Sequence, residues 1–297
     1  MRILETIRLL NNTLEYIERN LDAALNIDEI SKVACSSRYH FQRMFYALTG
    51  FTVTQYIRNR RLTLAAEELA ATDKRVIDVA VKYGYESPEA FTKAFQRLHG
   101  ISPSALKKLN GKIKAFPKIS FQISIKGECE MNYRIVEKEA FKVFGVGFIT
   151  TKINDAAYRE IPEFINKIFE DGTHDRINQI LGNPKGTLLD GFHYDFKEDG
   201  TRKYMMGYEI PKAEISDEFT ILQIPKLTWA VFEGHGNIPD NLIIHDIWKR
   251  IYSEWFPSCG FEQVEGPCIE KNFWNDKKQI EYKCEVWIPV KRKSINS

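Results

Sequence analysis

Two sets of polar side chains, about 50 residues apart, have the types and spacing needed to read DNA bases. The first set is Arg38, Tyr39, Gln42 and Arg43, and the second is Glu89, Thr92 and Lys93. Glutamine and arginine can bond bidentately to adenine and guanine edges, glutamate accepts from cytosine, and lysine suits guanine or a phosphate. At 100° per residue, each set falls on one side of a helix. The residue types therefore predict two DNA-contacting helices.

Both sets lie in a repeated segment of the chain. Residues 27–50 align with residues 77–100 without a gap, and eight positions are identical, among them Ser37/Ser87 and Phe41/Phe91. Each copy predicts a short helix, a break of about three residues, and a longer helix that a serine caps. This is the order of a helix-turn-helix motif, whose second helix enters the major groove. A helical array is disfavoured because arrays need three or more copies.

A long helix, predicted over residues 54–71, separates the two copies. Such a helix would hold the two reading helices at a fixed spacing, which must be about 34 Å if both read one face of B-DNA. Three of its arginines either contact phosphates or form ion pairs with two glutamates of the same helix: Arg58, Arg60 and Arg61 with Glu67 and Glu68. Arg58 is the candidate for a DNA contact.

Residues 1–110 resemble the DNA-binding domain of the AraC/XylS family of bacterial transcription regulators. The stretches that carry the resemblance are 37–45, 56–62, 84–95 and 100–103. The resemblance implies a seven-helix domain that binds double-stranded DNA as a monomer, with Tyr39, Gln42 and Arg43 at the family's main base-reading positions. Close relatives carry amides early in the second reading helix, where this chain has Pro88 and Glu89.

The second half of the chain contains a repeat of its own. A strand at 141–148, a helix at 158–169 and strands at 188–196 and 204–211 are followed by the same order at 228–233, 241–256, 268–274 and 282–289. The order predicts one sheet with two helices and a cleft along a pseudo-twofold axis. The expected fold is therefore two domains: an all-α domain with two helix-turn-helix motifs, then an α+β domain with a duplicated strand-helix-strand-strand unit.

One acidic residue interrupts the apolar strand near the C-terminus. Alternation places Glu285 on one face with Lys283 and Trp287. A carboxylate beside aromatic rings attracts an organic cation. Burial would raise the pKa of this carboxyl, and a bound cation would lower it again. The alternative is a solvated face, as Lys283 suggests. The predicted ligand-binding residues are Glu285, Trp287 and, from the corresponding strand of the first half, Glu209.

Residues 131–292 resemble the GyrI-like small-molecule-binding domain, through the stretches 247–260 and 284–290. In related multidrug-sensing domains a glutamate of the last strand lies at the floor of the ligand pocket, and the matching position here is Glu285. Together the two resemblances imply a transcription regulator that responds to a small aromatic or cationic ligand. The expected boundaries are 1–110 for the DNA-binding domain, 111–130 for a linker and strand, and 131–297 for the effector-binding domain.

Composition excludes several other classes of protein. The 297 residues are 43% hydrophobic with a net charge of +2, and residues 1–110 carry 16 Lys/Arg against 12 Asp/Glu, which suits a polyanionic partner. The five cysteines form no C-x-x-C pair, and the six histidines show no triad or metal spacing, so no catalytic residue, metal or cofactor is predicted. No apolar stretch suits a leader or a membrane span, and a cytoplasmic protein is expected.

Two rival functions stay open at the level of the sequence. Some GyrI-like domains are similar to hydrolases of small electrophiles, in which a pocket glutamate would act as a general base. The other rival is a ligand-independent DNA-binding protein whose second domain contacts a protein partner such as RNA polymerase.

Overall fold

The structure is a computed structural model of the chain. It describes residues 2–109, 113–122, 130–151, 156–182, 188–211, 214–236, 241–274 and 282–293. The chain forms two compact units: Met1–Phe45 with Phe51–Ile125, and Tyr46–Gly50 with Lys126–Ser297. Each unit has a hydrophobic core of its own.

The first unit is helical, as the sequence predicts. Its described helices are α1 (Arg2–Arg19), α2 (Ile27–Val33), α3 (Arg38–Thr49), α4 (Val53–Ala71), α5 (Val76–Lys82), α6 (Pro88–His99) and α7 (Pro103–Leu109). The pairs α2–α3 and α5–α6 are the two helix-turn-helix motifs, and α4 is the long helix between them. In α6, Phe91 and Phe95 are fully buried in a core that includes Leu62 and Leu69 of α4.

Serine caps begin both reading helices, which confirms the prediction. The hydroxyl of Ser37 accepts a hydrogen bond from the amide of His40 at 3.4 Å, and that of Ser87 accepts from the amide of Ala90 at 3.1 Å. Pro88 follows at the first helical position, where its missing N–H costs nothing. Because the cap fixes where each helix begins, it also fixes which side chains turn away from the core.

The turn of the second motif is one residue longer, so the gapless alignment is wrong for the first helix of each pair. Helices α2 and α5 begin 49 residues apart, whereas α3 and α6 begin 50 residues apart. The left-handed residue that follows the first helix is Cys35 (φ 48°) in one copy and Gly84 (φ 80°) in the other. Buried Ile30 is therefore equivalent to buried Val79, and Ile77, which the sequence alignment paired with Ile27, is 46% exposed.

Residues 113–122, which we call the strap, lack regular secondary structure but are held on the first unit. The guanidinium of Arg60 donates to the carbonyl of Phe116 at 2.6 Å, and the Thr63 hydroxyl accepts from its amide at 3.0 Å. The Asn11 side chain bonds both backbone groups of Phe121, each at 2.9 Å. This part of the predicted linker therefore packs on α1 and α4. The sequence predicts a strand at residues 121–125, but residues 121 and 122 are not in a strand, and residues 123–125 lie outside the described residues.

The second unit confirms the duplicated order and adds strands that the sequence did not predict. Its elements are β1 (Tyr133–Lys138), β2 (Phe141–Thr151), α8 (Ala156–Glu170), α9 (Thr173–Ile180), β3 (Asp190–Tyr194), β4 (Thr201–Glu209), β5 (Thr220–Ile224), β6 (Leu227–Gly236), α10 (Asn241–Arg250), α11 (Phe256–Ser258), β7 (Phe261–Gln263), β8 (Cys268–Trp274) and β9 (Tyr282–Arg292). A π-helical turn joins α10 to α11. The unpredicted β1 and β5 each precede one copy.

The sheet of this unit must curl, because short connections join strands that are far apart in it. The described strands are antiparallel in the order β1-β6-β9-β8-β3-β4-β2-β5, with β7 beside β9. A flat sheet would separate β1 from β2 by six strand spacings, about 29 Å. Only two residues lie between Lys138 and Phe141, and these span at most about 11 Å. The same holds for Ile224 and Leu227, so the two edges of the sheet approach each other at one end.

Curling gives the sheet an inner and an outer face. The helices cover the outer face, where Ile168 of α8 and Ile177 of α9 pack against Phe144. On the inner face, Val136 of β1 and Leu222 of β5 contact one buried cluster although they lie on opposite edge strands. We call this concave inner face, which is apolar at the end where the two edges of the sheet meet, the cleft.

Facing glycines allow the bend between β2 and β4. Gly145 and Gly207 are directly paired. A Cβ added at Gly145 would lie 2.1 Å from the Met206 carbonyl oxygen, and one added at Gly207 would lie 2.2 Å from that of Phe144. No larger residue fits such close backbone approach. The glycines at positions 145 and 147 thus allow β2 to lie unusually close to β4.

Candidate DNA-binding and effector-binding sites

Helix α3 keeps the predicted base-reading side chains off its core face. Phe41 and Phe45 are at most 1% exposed. Tyr39, Gln42 and Arg43 are half-buried. Arg38 is exposed, and its guanidinium lies 3.2 Å from a carboxylate oxygen of Asp28 on α2. A pair as exposed as this one contributes little to stability, so Arg38 can exchange it for a phosphate.

Helix α6 presents its predicted set in a similar way. Phe91 and Phe95 are fully buried. Glu89 and Lys93 are exposed, Thr92 is half-buried, and neither charged residue forms an ion pair with a described residue. The acidic Glu89 lies in the first turn of α6. There the helix dipole stabilises the carboxylate, but the carboxylate repels a nearby phosphate. The two reading helices therefore share geometry and differ in charge.

The three arginines of α4 have three different roles. Arg60 forms a buried ion pair with Glu18 of α1 at 2.8 Å. Arg61 donates to the carbonyls of Leu21 and Ala23 at 2.8 and 2.6 Å. Neither pairs with Glu67 or Glu68, so the ion-pair alternative is wrong for these two arginines. Arg58 is exposed and forms no ion pair within the described residues. Of the three, only Arg58 is free to reach a phosphate.

In the second unit, one row of paired residues carries several charges of the inner face. Strand register places Glu233 of β6 beside Glu285 of β9, and Glu285 beside Lys271 of β8. Directly paired residues project to the same face of a sheet. Asp190 of β3 continues the row, because Lys271 lies 3.2 Å from its carboxylate. The sequence missed Asp190, since nothing local distinguishes it from a surface aspartate.

Glu285 is buried and holds three donors. One carboxylate oxygen accepts from the guanidinium of Arg134 at 2.9 Å and lies 3.2 Å from the Lys283 ammonium. The other accepts from the indole N–H of Trp287 at 2.9 Å. The residue is 4% exposed, which excludes the solvated face that Lys283 suggested. Arg134 also pairs with Glu233, so two carboxylates share it.

The expected rise in the pKa of Glu285 does not occur. Burial alone would raise this pKa, but the hydrogen bonds from Arg134, Trp287 and Lys283 together lower it below its ordinary value. The prediction overlooked cations supplied by the chain itself, because Arg134 lies 151 residues away. Asp190 behaves in the opposite way: burial raises its pKa to about 6, against the influence of Lys271.

Trp287 lies between two cations on the inner face. The Arg134 guanidinium carbon is 5.9 Å from the indole centroid, and the Lys271 ammonium is 5.5 Å from it. The third predicted ligand residue, Glu209, is on the same face but is half-exposed and pairs with Lys138 of β1 at 2.6 Å. The three predicted ligand residues thus share the inner face, and each contacts a basic side chain there.

A second charged cluster lies on the outer face and joins the sheet to α10. Glu270 of β8 accepts from the Trp248 indole N–H at 2.6 Å and lies 3.0 Å from a ring nitrogen of His193. Burial opposes ionisation of Glu270, but His193 and Trp248 bring its pKa down to about 2. Because all three side chains are used in packing α10 on the sheet, we assign this cluster a structural role.

The described residues thus form two helix-turn-helix motifs followed by a curled, duplicated α+β unit. Residues 134–290, more than half of the chain, match the family model described as integron-associated effector binding protein, and the chain belongs to that family. Residues 30–109 match a helix-turn-helix domain model. The helix-turn-helix region is of the AraC type and the effector-binding domain is GyrI-like, as the sequence predicted.

Curated relatives agree with this order. The chain is 24% identical over 299 residues to the transcriptional regulator Rob of Salmonella typhimurium, covering 96% of this chain and 98% of that protein. The chain is 40% identical over 96 residues to the Escherichia coli transposon Tn10 TetD protein, covering 32% of this chain and 70% of that protein. It is 38% identical over 97 residues to the Salmonella typhimurium regulatory protein SoxS, covering 33% and 91%. The chain is thus a DNA-binding transcription regulator. Among the described helices, none is long and apolar enough to cross a membrane.

Proposed function

We propose that α3 supplies the main base readers and that α6 reads its half-site weakly. The observation that carries this proposal is that α3 and α6 both begin at a serine cap and both bury two phenylalanines, but differ in the charge of the side chains that face away from the core. On α3, Gln42 and Arg43 match adenine and guanine edges. On α6, Glu89 repels phosphate and can accept a hydrogen bond from cytosine N4. Arg38 and Arg58 contact phosphates and carry no base preference.

Binding-site selection tests this proposal. The wild type should select one strongly specified half-site and a degenerate one about 10 base pairs away. Arg43→Ala should weaken specific binding by about 1–3 kcal/mol and relax preference at one base pair. The matched control is Arg58→Ala, which should lower affinity for all sequences alike and reduce the salt slope by about one. Unchanged selection by Arg43→Ala, or equal information in the two half-sites, contradicts the proposal.

We propose that the inner-face cleft of the second unit binds a hydrophobic organic cation as effector. Support comes from the buried carboxylate of Glu285, which accepts a hydrogen bond from the Trp287 indole, and from the apolar cluster against which Trp287 packs. A cation with aromatic groups would place its charge near Glu285 and Asp190 and its rings against the apolar cluster. Glu209 would contact a ligand long enough to reach β4.

Calorimetry with tetraphenylphosphonium tests the effector proposal. The Glu285→Gln variant should bind this cation more weakly than the wild type and bind neutral triphenylphosphine oxide equally well, because the side chains are nearly isosteric. Equal cation affinity in the wild type and in Glu285→Gln would show that Glu285 does not contact the cation. A ligand-independent regulator whose second unit contacts RNA polymerase would show neither binding nor a shift in Tm with either probe.

We infer further that the second unit binds its ligand without converting it. A general base at pH 7 needs a pKa near that pH. The pKa of Glu285, the carboxyl expected to serve as base in a hydrolase, lies below its ordinary value. A search for turnover of activated esters by the intact protein tests this inference, and hydrolysis that Glu285→Gln abolishes would establish the enzyme instead.

A further inference from the structure

The carboxylate assigned to the effector's charge is already occupied by the chain's own cations. Arg134 reaches Glu285 at 2.9 Å and also pairs with Glu233, while Lys283 lies 3.2 Å from Glu285 and 3.4 Å from Glu233. The Arg134 guanidinium lies near the Trp287 indole as well. Positive charge beside a carboxylate and an aromatic ring is the chemistry that a bound organic cation would supply.

Resting on the proposed effector site, we propose that Arg134 is a tethered competitor, which occupies the position of the effector's charge and is displaced when a cation binds. Its place in the fold suits this role. Arg134 is on β1, an edge strand of the sheet, and its side chain is 42% exposed. Once displaced, it can turn into solvent without leaving an unpaired charge buried. The side chain of Glu285 is only 5% exposed, so its carboxylate cannot turn into solvent and needs a cation beside it at all times.

The competitor makes binding selective for charge. A neutral aromatic molecule cannot replace the guanidinium at Glu285, so Arg134 stays paired and its ion pair does not affect the affinity for such a molecule. A cation both fills the cleft and replaces the lost ion pair. Affinity for cations is therefore lowered by the strength of the internal pair, and this sets the concentration at which the regulator responds.

Charge-matched variants of the intact protein test the proposal. Arg134→Gln should bind tetraphenylphosphonium about 2- to 5-fold more tightly than the wild type, which is the range for removal of a partly exposed competing ion pair. Affinity for triphenylphosphine oxide should not change. The control is Lys138→Gln, which removes the same charge from the same face but pairs with Glu209 at 2.6 Å. It should change cation affinity by less than about 2-fold.

The double variant Arg134→Gln/Glu285→Gln tests whether the gain in cation affinity depends on Glu285. It should lose the gain entirely, because the freed carboxylate is no longer there. The proposal that Arg134 competes with the effector is overturned by any of three results: a double variant that keeps the gain, an equal gain in Lys138→Gln, or no gain in Arg134→Gln. In these cases the effector site itself stands if the wild type binds the probe. If no variant binds the cation, both the competitor and the effector site fall. Should Arg134→Gln unfold, Arg134→Met keeps the aliphatic stem and gives the same test.

Discussion

At the scale of single residues, two carboxylates of one row on the inner face have opposite ionisation behaviour. Glu285 receives three donors, which lower its pKa despite burial. Asp190 has Lys271 at 3.2 Å, and burial raises its pKa to about 6. At neutral pH both are ionised, but between pH 5 and 7 only Asp190 changes its charge. The cleft therefore becomes more positive as the pH falls through about 6.

This difference predicts a pH dependence of effector binding. Above pH 6 the Asp190 carboxylate is charged and attracts a cation, and below it the proton removes that attraction. The affinity of the wild type for tetraphenylphosphonium should therefore fall about 3- to 10-fold between pH 7 and pH 5. Asp190→Asn should bind the cation weakly and show little pH dependence. Calorimetry at pH 5, 6, 7 and 8 measures both.

His235 supplies the control for this experiment, because it is another ionisable side chain close to Glu233 of the same row. Its ring lies 3.9 Å from Glu233 on β6 and is mostly exposed. His235→Gln should keep the pH profile of the wild type. A profile that flattens in His235→Gln and persists in Asp190→Asn would assign the dependence to the histidine and refute the prediction.

At the scale of elements, local patterns of the sequence fix the reading helices well. The serine caps at Ser37 and Ser87, and the buried Phe41 and Phe91 one turn later, depend only on residues within a few positions. The same locality explains the error in register. The left-handed residue stands two positions before the capping serine in the first turn and three positions before it in the second. The identity of Ile27 with Ile77 concealed this extra residue of the second copy.

Elements that depend on distant partners could not be predicted in this way. Strand β1 precedes the first copy of the repeat but pairs with β6 of the second copy. Its Arg134 reaches Glu285 because β6 lies between β1 and β9 in the sheet. The strap has no periodicity at all, and its position depends on Arg60 and Asn11 of two separate helices. Contacts across such sequence separations leave no pattern in a single chain.

The strap predicts a measurable contribution to the stability of the first unit. The Phe116 ring lies edge-on to Phe51 at 4.9 Å and to Tyr56 at 6.0 Å. Because this ring is only half-buried, Phe116→Ala should lower the free energy of unfolding of the first unit by about 1–3 kcal/mol, less than for a core phenylalanine. Hydrogen exchange of the α4 amides measures the loss.

Ser120→Ala is the matched control for the strap, since Ser120 is exposed in the same segment. It should leave the exchange rates of α4 unchanged. Equal protection of α4 in Phe116→Ala and in the wild type would mean that the strap lies on the helices without stabilising them.

At the scale of the whole molecule, the chain joins a DNA-binding unit to an effector-binding unit, and thermodynamics constrains how the two respond to each other. If a bound effector changes the affinity for DNA by some factor, DNA must change the affinity for the effector by the same factor. This reciprocity holds whatever the arrangement of the two units, so it can be tested without knowing that arrangement.

We expect the coupling to be measurable in both directions. The affinity for tetraphenylphosphonium, measured with and without a saturating operator duplex, should differ by about 5-fold or more, the lower end of typical coupling energies. The affinity for the duplex, measured with and without saturating cation, should differ by the same factor. Arg43→Ala should abolish the operator's effect on cation affinity when the operator is too dilute to bind this variant. A cation affinity that is the same with and without bound operator would show that the second unit binds its ligand without regulating the first.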